Sequence, residues 1–218
     1  AEHFRADDNA VMASGEKKSV VEQITQNGIR VWHETYKAPV RNAAGQIMGT
    51  VGFARDISHN KRAEEATIMR NAALAGLLRG ERLENLLELI ALSAEAELPG
   101  LRCSILLVAD DGEHLRLGAA PSLSEAAQKA LNRIAIADDV GVSGCAAFRR
   151  SRVEIQNIFT DPKGLAFRQF AEENGVLAGW AEPIFGPEGE LLGTFAAYHA
   201  EEFTASHEQQ AQLALSSQ

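Results

Sequence analysis

The chain holds 218 residues, 45% apolar and 23% charged, with a net charge of −9. The acidic excess is concentrated in residues 98–218, where sixteen Asp/Glu stand against nine Lys/Arg. With no basic run to meet phosphates, this balance argues against nucleic acid or an anionic membrane as partner, while the length allows one or two globular domains.

No apolar run approaches the ~20 residues that span a bilayer, and the opening A-E-H-F-R-A-D-D lacks the basic-then-apolar order of a signal peptide. The two cysteines, Cys103 and Cys145, make neither a disulfide framework nor a metal-ligand spacing. A cytoplasmic location is expected.

Residues 2–14 predict a short helix, followed by a turn at Gly15-Glu16. Strands are expected at Val20–Ile24, Arg30–Val40 and Gln46–Arg55, separated by the turns Gln26-Asn27-Gly28 and Asn42-Ala43-Ala44-Gly45. The Asn-Gly pair is a strong hairpin signal. One helix and three antiparallel strands in about 60 residues supply too little core to stand comfortably alone. This segment reads as a piece of a larger domain.

Lys61–Glu97 contains no proline and is rich in helix formers. Leu83, Leu86, Leu87, Ile90, Ala91 and Ala94 recur at helical spacing and make one apolar face. Gly76 and Gly80 each cost a helix about 1 kcal/mol against alanine, so a break or kink is expected near Gly80. A helix joining two folded modules, with more apolar surface than either need cover, points to a transmitter. The plainer reading is a rigid spacer plus the first helix of the next domain. Leu83, Leu86, Leu87 and Ile90 are the candidate homodimer interface.

Beyond this helix, strands are expected at Leu101–Ala109 and His114–Ala119, around the turn Asp110-Asp111-Gly112. Ser122 and Glu125 have the spacing of a capping box for a helix to about Ile134. Ile136–Arg152 is looser, with one helical turn in G-V-S-G-C-A-A-F. A short strand Val153–Ile155 precedes a helix from Gly164 to Glu173, introduced by Asp161-Pro162. Two last strands, Leu177–Phe185 and Glu190–His199, flank Gly186-Pro187-Glu188-Gly189, and Thr204 caps a terminal helix. G-Q-I-M-G-T-V-G-F-A from Gly45 parallels G-E-L-L-G-T-F-A-A-Y from Gly189. Two modules therefore end on the same kind of hairpin strand before a helix, and the fold class is α+β.

Cys145 follows Gly144 at an expected helix start, where the helix dipole would lower a thiol's pKa. The alternative is a small buried packing residue. Cys103, inside an apolar strand, reads as core. The histidines at 3, 33, 59, 114, 199 and 207 show no metal spacing.

H-F-R-A-D-D-N-A-V-M-A-S-G, followed by W-H-E-T-Y-K-A-P-V-R-N-A-A-G-Q-I-M-G-T-V-G-F-A-R-D-I-S-H-N-K-R-A-E-E, resembles the C-terminal half of a PAS domain. The D-I-S-x-x-K-x-A-E-E ending is that family's usual handover to a signalling helix. The resemblance covers residues 1–65 and implies that two strands and the short helices lining the PAS pocket are absent from this chain. Residues 66–218 resemble a GAF domain of the bacterial PAS-GAF sensors that precede diguanylate cyclase and phosphodiesterase modules. G-V-S-G-C-A-A-F-R-R-S-R-V-E-I-Q-N-I-F-T-D-P, G-V-L-A-G-W-A-E-P-I-F and G-E-L-L-G-T-F-A-A-Y-H carry it.

That subgroup typically reads G-S-C-G-T-A-A, D-I-x-x-D-P and G-L-R-A-C-W-S-x-P-I. Here Ser143 replaces its first cysteine, Cys145 its threonine, Asn157 its aspartate, Leu177 its arginine and Gly179 its second cysteine. A pocket stripped of these anchors implies a small, largely apolar ligand rather than a nucleotide. GAF enzymes that reduce methionine sulfoxide use several cysteines around the pocket, and two are a poor match.

The resemblance implies a PAS half at 1–60, a linker signalling helix at 61–80 and a GAF domain at 81–218. Its implied pocket lining is Cys145, Phe148, Ile158, Phe159, Phe167, Phe170, Trp180, Phe195 and Tyr198. The expected function is non-catalytic: a homodimeric sensory region that relays a small ligand to an output domain in the same polypeptide, of cyclic-di-GMP turnover. The cofactor is left open. The alternatives are a thiol redox sensor or enzyme using Cys145, and a structural dimerisation module without ligand.

Overall fold

A computed structural model describes residues 2–26, 29–98 and 100–201, with side chains placed at 6–25, 31–98 and 100–201. It forms two compact units, residues 1–64 and 65–218.

In the first unit, helix α1 (Glu2–Ser14) precedes an antiparallel sheet of β1 (Lys18–Gln26), β2 (Ile29–Arg41) and β3 (Ile47–Asp56), in that order. The β2–β3 turn is set by Asn42, whose side-chain oxygen accepts from the amides of Ala44 at 3.0 Å and Gln46 at 2.9 Å. One face of the sheet meets α1 through Val11, which is buried, and through Asp8, which binds Lys37 and Thr50, each at 2.8 Å. That hydrogen bond from Lys37 holds the Asp8 carboxyl below its usual range. On the other face Tyr36 stacks on Phe53 with ring centroids 4.9 Å apart, beside exposed Val21, Val40 and Val51. Val11 is the one buried apolar side chain among the unit's described residues, in keeping with a segment short of core.

Helix α2 (Ser58–Arg79) ends at Gly80, whose φ of +71° closes the helix with a left-handed residue. Helix α3 (Leu83–Glu97) then starts afresh, so the break expected at Gly80 is present.

The second unit is built on a six-stranded antiparallel sheet, ordered β6-β5-β4-β9-β8-β7. Its strands are β4 (Arg102–Val108), β5 (His114–Ala119), β6 (Ile134–Ala135), β7 (Val153–Ile155), β8 (Ala178–Phe185) and β9 (Leu191–His199). Successive residues of a strand point to opposite faces, which sorts the core into two layers. Leu87, Ala91 and Ala94 of α3 pack with Cys103, Ile105, Trp180, Phe195 and Ala197. Burying a leucine such as Leu87 stabilises the fold by about 2 kcal/mol. Gly118 makes room for it: a Cβ there would stand 2.8 Å from the Leu87 side chain. The opposite face carries α4 (Glu125–Leu131), α5 (Gly141–Arg149), a 3-10 helix (Pro162–Phe167) and α6 (Arg168–Asn174).

Four local expectations change. Residues 141–149 form a nine-residue helix rather than one turn, because Val142, Cys145 and Ala146 supply a buried face that small residues hide from a hydropathy reading. Ser124, not Ser122, caps α4, accepting the Ala127 amide at 3.2 Å; Ser122 is engaged by Glu95 instead. The helix expected from Gly164 is a 3-10 segment up to Phe167, and α6 ends at Gly175 with a φ of +58°. The end of the helix expected to reach Ile134 is instead β6, paired to β5. The Asn27-Gly28 turn and the helix capped by Thr204 lie outside the described residues. No helix of the described residues is long and apolar enough to cross a membrane.

Candidate functional site

Between the sheet and the layer of α4, α5 and α6 lies a cavity of about 30 Å³, room for about two water molecules. Its floor is Gly179 of β8 and Tyr198 of β9, partners across the strand pair. Its walls are Leu131, Ile134, Ile155, Ile158, Phe167 and Phe170, and its end is the first turn of α5 with Val140, Gly141, Val142 and Ser143. Two glycines shape it. Gly141 has a φ of +55°, and a Cβ there would meet the Phe167 ring at 2.6 Å, so the 3-10 segment closes over the helix start. A Cβ on Gly179 would press on the Tyr198 ring at 3.0 Å.

Polar groups in the cavity are few. Tyr198 stacks edge-on to Phe170 at 5.2 Å, and its hydroxyl is 3.1 Å from the Ser104 hydroxyl. Burial pushes the phenol up to about 12, against the opposing pull of the Ser104 and Ser143 hydroxyls. The Ser143 hydroxyl is close enough to favour the phenolate, yet makes no hydrogen bond of sound geometry among the described residues. An α-helix leaves its first amides without intrahelical acceptors, and Val140 at the N-cap has no side-chain oxygen to satisfy them.

Of the residues the sequence assigned to a pocket, Ile158, Phe167, Phe170 and Tyr198 are brought together. Phe159 is half-buried against the same core layer. The other four are not in the lining. Phe148 sits near the end of α5 and is 57% exposed. Cys145 is buried behind the lining, its thiol donating to the Asp138 carbonyl at 3.0 Å. Trp180 and Phe195 pack 5.8 Å apart on the α3 face, because strand alternation turns them away from their neighbours Gly179 and Ala196.

Val142, Ile155 and Leu131 were missed, since apolar residues on a short helix, a three-residue strand and a helix end carry no distinctive pattern. Ser143 and Gly179 were visible only as departures from the GAF subgroup, and both border the cavity.

Burial pushes the Cys103 thiol well above its ordinary range and raises that of Cys145, with Asp138 adding to the latter. Neither has the lowered pKa of a reactive thiol. Among the described residues no group of three or more His, Cys, Asp or Glu could hold a metal ion.

On α3, Leu86 and Leu87 are buried within their own domain, Ile90 is half-buried, and Leu83 is 48% exposed. Two polar connections stand between the cavity wall and this helix. Asn174 at the end of α6 donates to the Phe170 carbonyl at 2.9 Å and accepts the Ser124 amide at 3.1 Å. Two residues before Ser124, Ser122 donates to Glu95 of α3 at 2.5 Å, and Glu95 also accepts the Cys103 amide of β4 at 2.8 Å.

Residues 80–217 match the family described as GAF domain, and residues 1–62 match the PAS fold. The methyl sulfide methyltransferase-associated sensor of Methanosarcina acetivorans is 37% identical over 158 residues, which are 72% of this chain but 16% of that protein. The GAF domain of a phosphoenolpyruvate-protein phosphotransferase from Coxiella burnetii superimposes with a TM-score of 0.55 at 21% identity, over 71% of this chain and 89% of that one. Free methionine-R-sulfoxide reductase from Neisseria meningitidis, solved with its substrate, gives a TM-score of 0.54 at 14% identity, over 73% and 85% of the two chains. At these identities the two structures share the fold.

Proposed function

Because this chain belongs to the GAF domain family and carries a PAS segment ahead of the GAF domain, we propose that it is the sensory part of a longer signalling protein. It reads a small ligand in the cavity beside α5 and passes occupancy to α3. The observation that supports this is the polar path from Phe170 through Asn174, Ser124 and Ser122 to Glu95, which ties the cavity wall to the helix that follows the linker. A ligand that favours one arrangement of the wall shifts the population of helix positions by as much as it prefers that arrangement.

The sensory role agrees with the sensor to which the chain is 37% identical. The protein works as a cytoplasmic homodimer, its exposed Leu74, Leu77 and Leu78 on α2 and Leu83 on α3 supplying the apolar contact. Output falls to another domain of the same polypeptide, of cyclic-di-GMP turnover, and this region is not itself catalytic. Raised thiol pKa values disfavour the redox alternative through Cys145.

Hydrogen exchange over residues 83–97 tests the relay, with small acids and neutral apolar compounds added in turn. A compound that stabilises the fold should change protection of α3, and should do neither in the cavity-filling variant Val142→Phe. Stabilisation without any change in α3 would sink the proposal.

A further inference from the structure

The cavity has walls made of hydrocarbon and one end at the first turn of α5, where the Ser143 hydroxyl and the first amides of the helix stand beside Val140 and Val142. Its lining includes no Lys, Arg, Asp or Glu among the described residues. That leaves a nucleotide's phosphate uncompensated and gives a cation no counter-charge. The α5 amides can donate and cannot accept, and they sit at the positive end of a nine-residue helix capped by valine. Ser143, 4% exposed, lines the same end, and its hydroxyl, beside that of Tyr198, closes no hydrogen bond of sound geometry among the described residues. A buried hydroxyl without a partner destabilises the fold, so the group fits a site whose missing acceptor arrives with a ligand. Tyr198 adds a second hydroxyl at the floor.

Resting on the reading that this cavity is the sensory site, we infer that it takes a short-chain monocarboxylate. The carboxylate meets the first turn of α5 and the Ser143 hydroxyl, and the hydrocarbon end lies among Ile155, Ile158 and Phe170. One delocalised negative charge is what a helix N-terminus and two hydroxyls balance without a basic side chain. A volume of about 30 Å³, room for about two waters, admits only the smallest acids before the wall must open. Acetate is the size that fits with least movement.

The test is a calorimetric titration of the full chain at neutral pH with acetate, propionate and butyrate. Their amides, 1-butanol and butylammonium are titrated at the same ionic strength. The acids should bind saturably and about tenfold or more tightly than the matching amides, a difference of about 1.4 kcal/mol. Ser143→Ala should weaken the acids about tenfold, leave the amides alone and not lower the melting temperature. Acids that bind no better than amides or alcohols overturn the carboxylate assignment. So do acids whose affinity is unchanged in Ser143→Ala. If the neutral compounds still bind, and Val142→Phe abolishes their binding while its melting transition stays cooperative, the sensory cavity stands without this ligand class. If the acids bind Val142→Phe as well as the wild type, their site is elsewhere and both readings fail.

Discussion

The Ser122 hydroxyl donates to Glu95 at 2.5 Å, while the other oxygen of that carboxylate accepts the Cys103 amide at 2.8 Å. One side chain of α3 is thus joined to the strand beneath it and to the loop that starts α4. Ser122→Ala should cost about 1 kcal/mol, the net worth of a hydrogen bond, and Glu95→Ala about 2–3 kcal/mol, since it also strands a buried amide. Urea unfolding of both single variants and the double variant should show a coupling of about 1 kcal/mol. Strict additivity would mean that the Ser122–Glu95 bond contributes nothing in solution.

Ser143 and Ser104 both face Tyr198 but differ in whether they close a hydrogen bond. Ser143→Ala removes an unpartnered hydroxyl and should leave stability unchanged or raise it by about 1 kcal/mol. Ser104→Ala leaves the tyrosine hydroxyl without its partner and should cost about 1–2 kcal/mol. Melting curves of the two variants without ligand separate the cases, and a reversed order would contradict the geometry.

The Tyr198 phenol, pushed up to about 12 in the folded protein, titrates near 10 when unfolded. The fold therefore favours the neutral form. Its contribution is fully present below pH ~10 and is lost as pH rises toward ~12, amounting to about 2–3 kcal/mol across that window. Tyr198→Phe cannot ionise. Its stability should fall less steeply over that range than the wild type's, as measured by unfolding at stepped alkaline pH. Parallel curves would show that Tyr198 ionises as readily folded as unfolded.

Both cysteines are buried, and their thiols are shifted away from the reactive thiolate. A disulfide reagent should label neither in the native protein over a time in which both react in guanidinium. Cys145→Ser should leave ligand response and stability nearly unchanged. Fast labelling of Cys145 in the folded state would revive a thiol mechanism.

Leu78 is 90% exposed, whereas Leu87 is buried under α3. In the proposed homodimer Leu78→Glu should weaken association without moving the melting temperature. Leu87→Glu should instead cost about 3 kcal/mol or more by placing a carboxylate in the core. Light scattering over a concentration series, with melting curves alongside, distinguishes the two effects. A wild type that stays monomeric at the highest concentration would remove the homodimer from the proposal.

Most elements of the fold were legible because alternation and helical spacing leave direct marks. The β2 and β3 strands, the Gly80 break and the final hairpin all follow from such patterns. The errors have separate physical causes. The α5 helix is written in Gly, Ser, Cys and Ala, whose burial depends on close approach rather than hydropathy. Aromatic content was an incomplete guide to the cavity: Phe167, Phe170 and Tyr198 reach it, whereas Trp180 and Phe195 fall on strand positions of the opposite parity. Which parity faces which layer is settled by the order β4-β9-β8, and pairing between distant strands is not written in any local stretch.

Gly179 and Trp180 are consecutive in β8, one at the cavity and the other in the layer shared with α3. The indole is therefore a built-in optical probe that no cavity ligand touches. Its fluorescence responds to the helix layer, so a change in emission on ligand addition reports transmission through the sheet rather than quenching by contact. The chain's other tryptophan, Trp32, belongs to the first unit. With Trp32→Phe the remaining signal comes from one position, and the two sides of a single strand can be read as input and output.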